Sequence, residues 1–180
     1  GIIYWQLDFN GNVRTGKIMY YDVNTGHKVK TGMMVDWVHY RLKKKGLLPE
    51  GFVLNQCLFG EHLLRSDDIR KSVALVEAEK TALLGSLVFP DYVWVAVGGK
   101  ENFKPERMVA LCNRTVIVFP DVDAFDDWKE KARKLFLPKR VIVCDLLERL
   151  SSAAEREAKV DVGDWFVADL MERGTANWHP

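Results

Sequence analysis

The chain changes its hydrophobic rhythm near Ser72. Before it, short β-type runs cover residues 2–9 and 17–23, with Asn10-Gly11-Asn12 between them as the turn of a hairpin and Asn24-Thr25-Gly26-His27 closing a second. This predicts a small antiparallel meander. Residues 37–46 follow as a short helix or extended segment with a basic end and a glycine stop, and 47–59, with Pro49 and Gly51, reads as a connecting loop. After Ser72, apolar runs at 73–76, 92–97, 116–119 and 140–144 predict strands, and the intervening stretches 79–87, 105–112, 125–136 and 146–159 predict helices. Alternation of this kind implies an α/β fold, a mainly parallel sheet flanked by helices, preceded by a small antiparallel β-rich subdomain. The expected organisation is therefore 1–71 as a β-rich N-terminal subdomain with a basic segment and 72–180 as an α/β domain.

Two of the later runs end in the same way. Val73-Ala74-Leu75-Val76 stops on Glu77-Ala78-Glu79, and Val116-Ile117-Val118-Phe119 stops on Pro120-Asp121-Val122-Asp123. In a parallel sheet ligands sit outside the carboxyl ends of the strands, and Glu77, Gly98-Gly99 and Asp121 all fall there. Mg²⁺ takes near-octahedral oxygen ligands and is commonly held by one or two carboxylates plus substrate phosphates, so Asp121 and Asp123 are the candidate ligands for Mg²⁺ or Mn²⁺. Glu77 either completes that site or serves as the catalytic general acid and base. Clustered carboxylates repel, so without metal at least one of them has a raised pKa.

Each position also has a plainer role. Glu77 and Glu79 suit the start of a helix, as do Asp126 and Asp127. Lys80 reaches a phosphate or solvent, and Gly98-Gly99-Lys100 is a phosphate-approach turn or simply a tight turn. Asp161 and Asp164 add acids to the site, or Asp164 caps the helix that begins near Trp165.

Composition narrows the class. The 180 residues are 48% hydrophobic and carry a net charge of +1, and no apolar run is long enough to span a bilayer. The expectation is a cytoplasmic protein without membrane contact. Residues 1–72 hold 11 Lys/Arg against 7 Asp/Glu, and residues 73–180 hold 15 against 18, a basic front (+4) and an acidic back (−3). Nucleic acid beside a metal centre fits that polarity, and Arg41, Lys43, Lys44 and Lys45, interleaved with Trp37 and Tyr40, are the candidate nucleic-acid contacts. A solvated helix end explains the same cluster. Cys57, Cys112 and Cys144 form no Cys-x-x-Cys pair, and the four histidines share no spacing that suits zinc. Neither a phosphate-binding Gly-x-x-x-x-Gly-Lys-Ser/Thr loop nor a Gly-x-Ser-x-Gly elbow is present. Gly1 leading directly into a β-run, with no initiator Met, suggests a piece of a longer protein with a further N-terminal region.

Glu77 in Val76-Glu77-Ala78-Glu79-Lys80, Gly98-Gly99 after the next strand and Asp121-x-Asp123 after the third, in that order and spacing, resemble the Toprim domain of bacterial primases and topoisomerases. The resemblance covers about residues 72–170 and extends to Asp161-Val162-Gly163-Asp164-Trp165-Phe166. The front half, at Thr15-Gly16-Lys17-Ile18-Met19 and Cys57-Leu58-Phe59-Gly60-Glu61-His62, is similar to Toprim-like, primase-related proteins of bacterial mobile elements. The resemblance implies Mg²⁺-dependent nucleotidyl transfer or phosphodiester hydrolysis in DNA replication or mobilisation. It implies Glu77 as general acid and base at the 3′-oxygen, and nucleic acid (DNA before RNA) and nucleotides as partners. Two positions depart from the Toprim pattern: Ala78 stands where Gly is usual, and Phe125-Asp126-Asp127 where small residues are common. The alternative reading is thus a Toprim-derived binding or interaction module without catalysis.

Overall fold

The computed structural model describes residues 1–29, 35–66 and 68–177. Strands β1 (Ile2–Leu7), β2 (Val13–Met19) and β3 (Asp36–Trp37) form an antiparallel sheet in the order β1-β2-β3. The first turn is held by Asp8, whose Oδ1 accepts from the N–H groups of Asn10 and Asn12, both at 2.9 Å, while Gly11 takes the positive φ (85°) the reversal needs. The second β-run starts earlier than the apolar pattern suggests, at Val13, and stops at Met19. Beyond it, among the described residues, the expected second hairpin shows one Tyr21–Lys28 bridge around a turn that Asp22 caps. Helix α1 (Val38–Lys44) follows β3 and ends at Gly46, φ 65°. A loop and the one-turn α2 (Leu63–Ser66) lead to the second sheet.

That sheet is parallel throughout: β4 (Val73–Val76), β5 (Val93–Ala96), β6 (Thr115–Val118) and β7 (Arg140–Val143), in the order β5-β4-β6-β7. Strands β4 and β5 are buried along their whole length, as continuous apolar runs should be when helices cover both faces. The connecting helices are α3 (Glu79–Val88), α4 (Phe125–Arg133), α5 (Leu146–Leu150), α6 (Ala153–Ala158) and α7 (Val162–Asn177). On one face Val73, Leu75, Val93, Val95, Val116 and Val118 pack with Phe103, Leu111 and Trp128. On the other, Ala74, Val76, Trp94 and Ala96 meet Leu147, Val162 and Phe166. Trp94 stacks on Phe119 at 5.5 Å and lies flat against α3 at Gly85, where a Cβ would come within 2.5 Å of the indole.

Two predicted helices differ from the sequence expectation. Residues 105–112 form two 3₁₀ turns, Pro105–Arg107 and Val109–Leu111, that meet at the buried Met108. The helix expected over 146–159 is broken at Ser151-Ser152. There Ser152 and Glu155 form a capping box that starts α6.

Candidate functional site

Strand β4 lies between β5 and β6, so the residues that follow these three strands leave the sheet side by side. The chain crosses from β5 over β4 to β6, which opens the crevice expected where the strand order reverses. Glu77 follows β4 directly and is half-buried, and its carboxylate accepts the backbone N–H of Lys100. That contact needs the turn at Gly98 (φ 76°) and Gly99 (φ 149°), angles that side chains disfavour. Burial, and then the charge of Asp123, raise the Glu77 pKa. Asp121 follows β6 and is pushed further, to about 8, first by burial and then by Glu77, Asp161, Asp123 and Asp164. The raised pKa that clustered acids require therefore falls on Glu77 and, more strongly, on Asp121.

The other acids divide by role. Asp123 is exposed and faces Lys159 Nζ at 3.3 Å. Asp126 and Asp127 occupy the first turn of α4, and Asp127 pairs with Lys131 at 2.9 Å. Asp161, not Asp164, caps α7. Its Oδ1 accepts the Asp164 N–H at 3.0 Å, Asp164 Oδ2 accepts the Asp161 N–H at 3.1 Å, and the Thr81 hydroxyl of α3 donates to Asp161 Oδ2 at 2.9 Å. The helix begins three residues before Trp165 because this reciprocal pair satisfies its first free N–H groups. Both acids still face Asp121 as charges.

A cleft of about 360 Å³ opens beside Glu77, Asp161 and Asp164, while Asp121 and Asp123 stand outside its lining. Glu77, Lys80 and Gly99 line it from the parallel sheet, Lys159, Asp161 and Asp164 from the α6–α7 junction, and Lys17, Tyr21 and Lys28 from the N-terminal sheet. Lys17 is the residue that sequence reasoning missed. Reaching from the inner face of β2, its buried Nζ donates to Glu79 Oε2 and to the Gly98 carbonyl, both at 2.9 Å. Glu79 is thus the partner of a buried ion pair rather than a surface helix acid. No spacing announces it, because the partners are 62 residues apart. Lys100 contributes its backbone to Glu77, while its carbonyl accepts from Lys131 at 3.3 Å. Arg41, Lys43, Lys44 and Lys45 stand on α1 and its end, none of them in the lining of this cleft. His27 lines the cleft, and His179 lies outside the described residues.

The two departures from the Toprim pattern now have a geometry. Ala78 is extended (φ −98°, ψ 143°) at the N-terminus of α3, a conformation open to any residue, so its methyl costs no backbone strain. Phe125 starts α4 outside the cleft lining, with Lys129 Nζ 5.2 Å from its ring centre. Among the described residues no three His, Cys, Asp or Glu side chains are placed to hold an ion between them. The donors at the strand ends are nevertheless hard carboxylate oxygens in a mutually repelling field. They suit Mg²⁺ held by one or two carboxylates, water and phosphate oxygens, and no softer ion.

Fold and site together define a two-sheet α/β protein with an acidic crevice at the carboxyl edge of its parallel sheet. The chain belongs to the family described as a domain of unknown function, DUF6371, whose model matches residues 1–122. No curated protein matches it. Among solved structures it is similar to the primase fragment of the bacteriophage T7 primase-helicase protein, with a TM-score of 0.51 and 19% identity over 93% of this chain. The chain spans 61% of that fragment, and at this identity the likeness is one of fold.

Proposed function

We propose that the chain is a Toprim-like, Mg²⁺-dependent, primase-related domain that transfers nucleotidyl groups or hydrolyses phosphodiesters, with the acidic crevice as its active site. The observation that carries this reading is the emergence of Glu77 and Asp121 from neighbouring parallel strands beside a cleft whose other walls supply lysines. The likeness to a primase fragment supports it at the level of fold.

In this reading Asp121 and Asp123 hold Mg²⁺ (or Mn²⁺) through one or two oxygens, and the bound ion supplies neutralisation of phosphate charge. The chain's own residues do the rest. Glu77, with its raised pKa, gives or takes the proton at a 3′-oxygen. Lys80 at the first turn of α3 and Lys28 across the cleft bind nucleotide or strand phosphates. The Gly98-Gly99-Lys100 turn approaches the same phosphates at Gly99, since the Gly98 and Lys100 N–H groups are already held by the Glu77 carbonyl and carboxylate. Lys17 fixes the Gly98 carbonyl and so the height of that turn. DNA before RNA is the expected polymer, with nucleotides as co-substrates.

Titration calorimetry with MgCl₂ and MnCl₂ tests the reading on the wild-type chain, Glu77→Gln and Asp121→Asn. Wild type is expected to bind one divalent ion and Asp121→Asn to lose at least tenfold in affinity. If both variants bind the ion as wild type does, the crevice is not a metal centre and the reading falls.

A further inference from the structure

We infer that the outer face of the N-terminal sheet, together with α1, is a platform for single-stranded nucleic acid, separate from the acidic crevice and independent of metal. This rests on the nucleic-acid reading above but assigns a second surface. Strand alternation separates the two faces: Lys17 points inward to Glu79, whereas Trp5, paired with Gly16, and Ile3, paired with Ile18, point outward. At Gly16 the missing side chain matters. A Cβ there would lie 2.6 Å from Ile3 Cγ2 and 3.0 Å from both Trp5 Cε3 and Val38 Cγ2, so the Trp5 indole and the start of α1 rest directly on the glycine backbone.

The consequence is an aromatic surface left open on a well-supported base. Trp5 is 41% exposed, Tyr20 41% and Tyr40 46%. Tyr20 is oriented by Arg41, whose Nη2 donates to the phenol oxygen at 2.8 Å, and Arg41 is in turn paired with the buried Asp36. Arg41 is therefore a positioning residue for Tyr20 rather than a free cation. The free charge comes from Lys43, Lys44 and Lys45, all exposed at the end of α1, which carries no acid in its first turn; Lys44 Nζ sits 4.5 Å from the Tyr40 ring centre. Exposed aromatic rings, one of them 4.5 Å from a lysine ammonium, match the two recognition elements of a single strand: bases for the rings and phosphates for the cations. A duplex hides its base faces and offers only the phosphates. An apolar protein partner would leave three adjacent lysines without a counter-charge, which is why a strand is the better occupant.

Fluorescence anisotropy with a labelled sixteen-nucleotide oligo(dT), in EDTA and at two salt concentrations, tests this on the whole chain. Wild type is expected to bind without metal and to prefer the strand to a duplex of equal length. K43A/K44A/K45A should weaken binding at least tenfold and reduce the slope of log K against log salt by about 2, at roughly 0.7 for each phosphate no longer neutralised. Tyr40→Leu, on an exposed helix position that spares the fold, should weaken binding about tenfold through the removal of one stack without changing that slope. Trp5→Leu should do the same. The inference is overturned if the lysine and Tyr40 variants bind as wild type, if binding requires Mg²⁺ and disappears in Asp121→Asn, or if the duplex binds as well as the strand. It is overturned as well if Trp5→Leu acts only by dissociating a dimer. Strand binding in EDTA alongside absent metal binding would leave the platform standing and remove the crevice reading.

Discussion

The two sheets are stabilised by different physics. In the parallel sheet nearly every side chain of β4 and β5 is buried and apolar, and both faces are closed by helices. In the antiparallel sheet the inner face mixes polar with apolar groups: Gln6 and Lys17 are buried there beside Tyr4, and Lys17 joins the sheet to the strand ends of its neighbour through Glu79 and Gly98. Apolar packing tolerates small shifts, but a buried ion pair does not, since either charge left alone in the interior is costly. The polar joint therefore fixes how the lysines of the front sheet face the acids of the back one. Substitutions on the two sides should differ in kind as well as in size.

The largest expected effect lies in the apolar half. Trp128 is fully buried against Phe103, with ring centres 4.8 Å apart, and Trp128→Ala should cost about 3–5 kcal/mol in urea unfolding. Next comes the polar joint. Lys17→Met leaves Glu79 buried with Oε2 unpaired, next to an Oε1 that has no partner among the described residues, and should cost about 3 kcal/mol. The companion Lys17→Met/Glu79→Leu should recover much of that loss, because removing both charges avoids the stranded one. Additive single-variant costs in this double-mutant cycle would show that the two halves are not joined through this pair.

The acidic crevice should act in the opposite direction. Asp121 has its pKa raised from 3.8 to about 8, so between those values the folded chain binds a proton that the unfolded chain does not. Stability contributed at this site is then greatest near pH 4 and falls as pH rises towards 8. Asp121→Asn removes the penalty and should stabilise the metal-free chain by about 1–2 kcal/mol at pH 7.5, with the gain shrinking towards pH 4. Thermal melts across pH decide it: a variant that is destabilised at pH 7.5 would mean Asp121 is not under strain from its neighbours. Wild type alone should gain melting temperature from added Mg²⁺ if the ion relieves the same repulsion.

The same contrast separates what is legible in the sequence from what is not. Val73–Val76 and its stop at Glu77 are legible because a doubly covered strand is a continuous apolar run, and an acid directly after it has nowhere to pack. Pro120-Asp121 is legible for the same reason. Lys17 is hidden as a site residue: a lysine in an alternating β-run reads as a solvent-facing position, and its partner is set by how the sheets meet. The 3₁₀ turns at 105–111 and the break at Ser152 depend on what each segment covers, and local periodicity carries no such information. Asp164 attracts the cap assignment because it precedes an aromatic-rich stretch, although Asp161 three residues earlier has the same chemistry.

The smallest effect tests that last distinction. Asp161 and Asp164 bond each other's backbone, but only Asp161 also takes the Thr81 hydroxyl and so ties α7 to α3. Removing a cap costs about 1 kcal/mol, and removing the tie adds a further polar penalty, so Asp161→Ala should cost about 1–2 kcal/mol and Asp164→Ala about half that. Thr81→Val should reproduce the difference between them, since it removes the tie and leaves the cap. In each aspartate variant the loss of a negative neighbour offsets part of the cost by relaxing Asp121, most fully at high pH. The stability gap between Asp161→Ala and wild type should accordingly narrow as pH rises from about 5 to about 8. A gap that widens instead would mean that Asp161 serves the helix alone and is not part of the crevice's field.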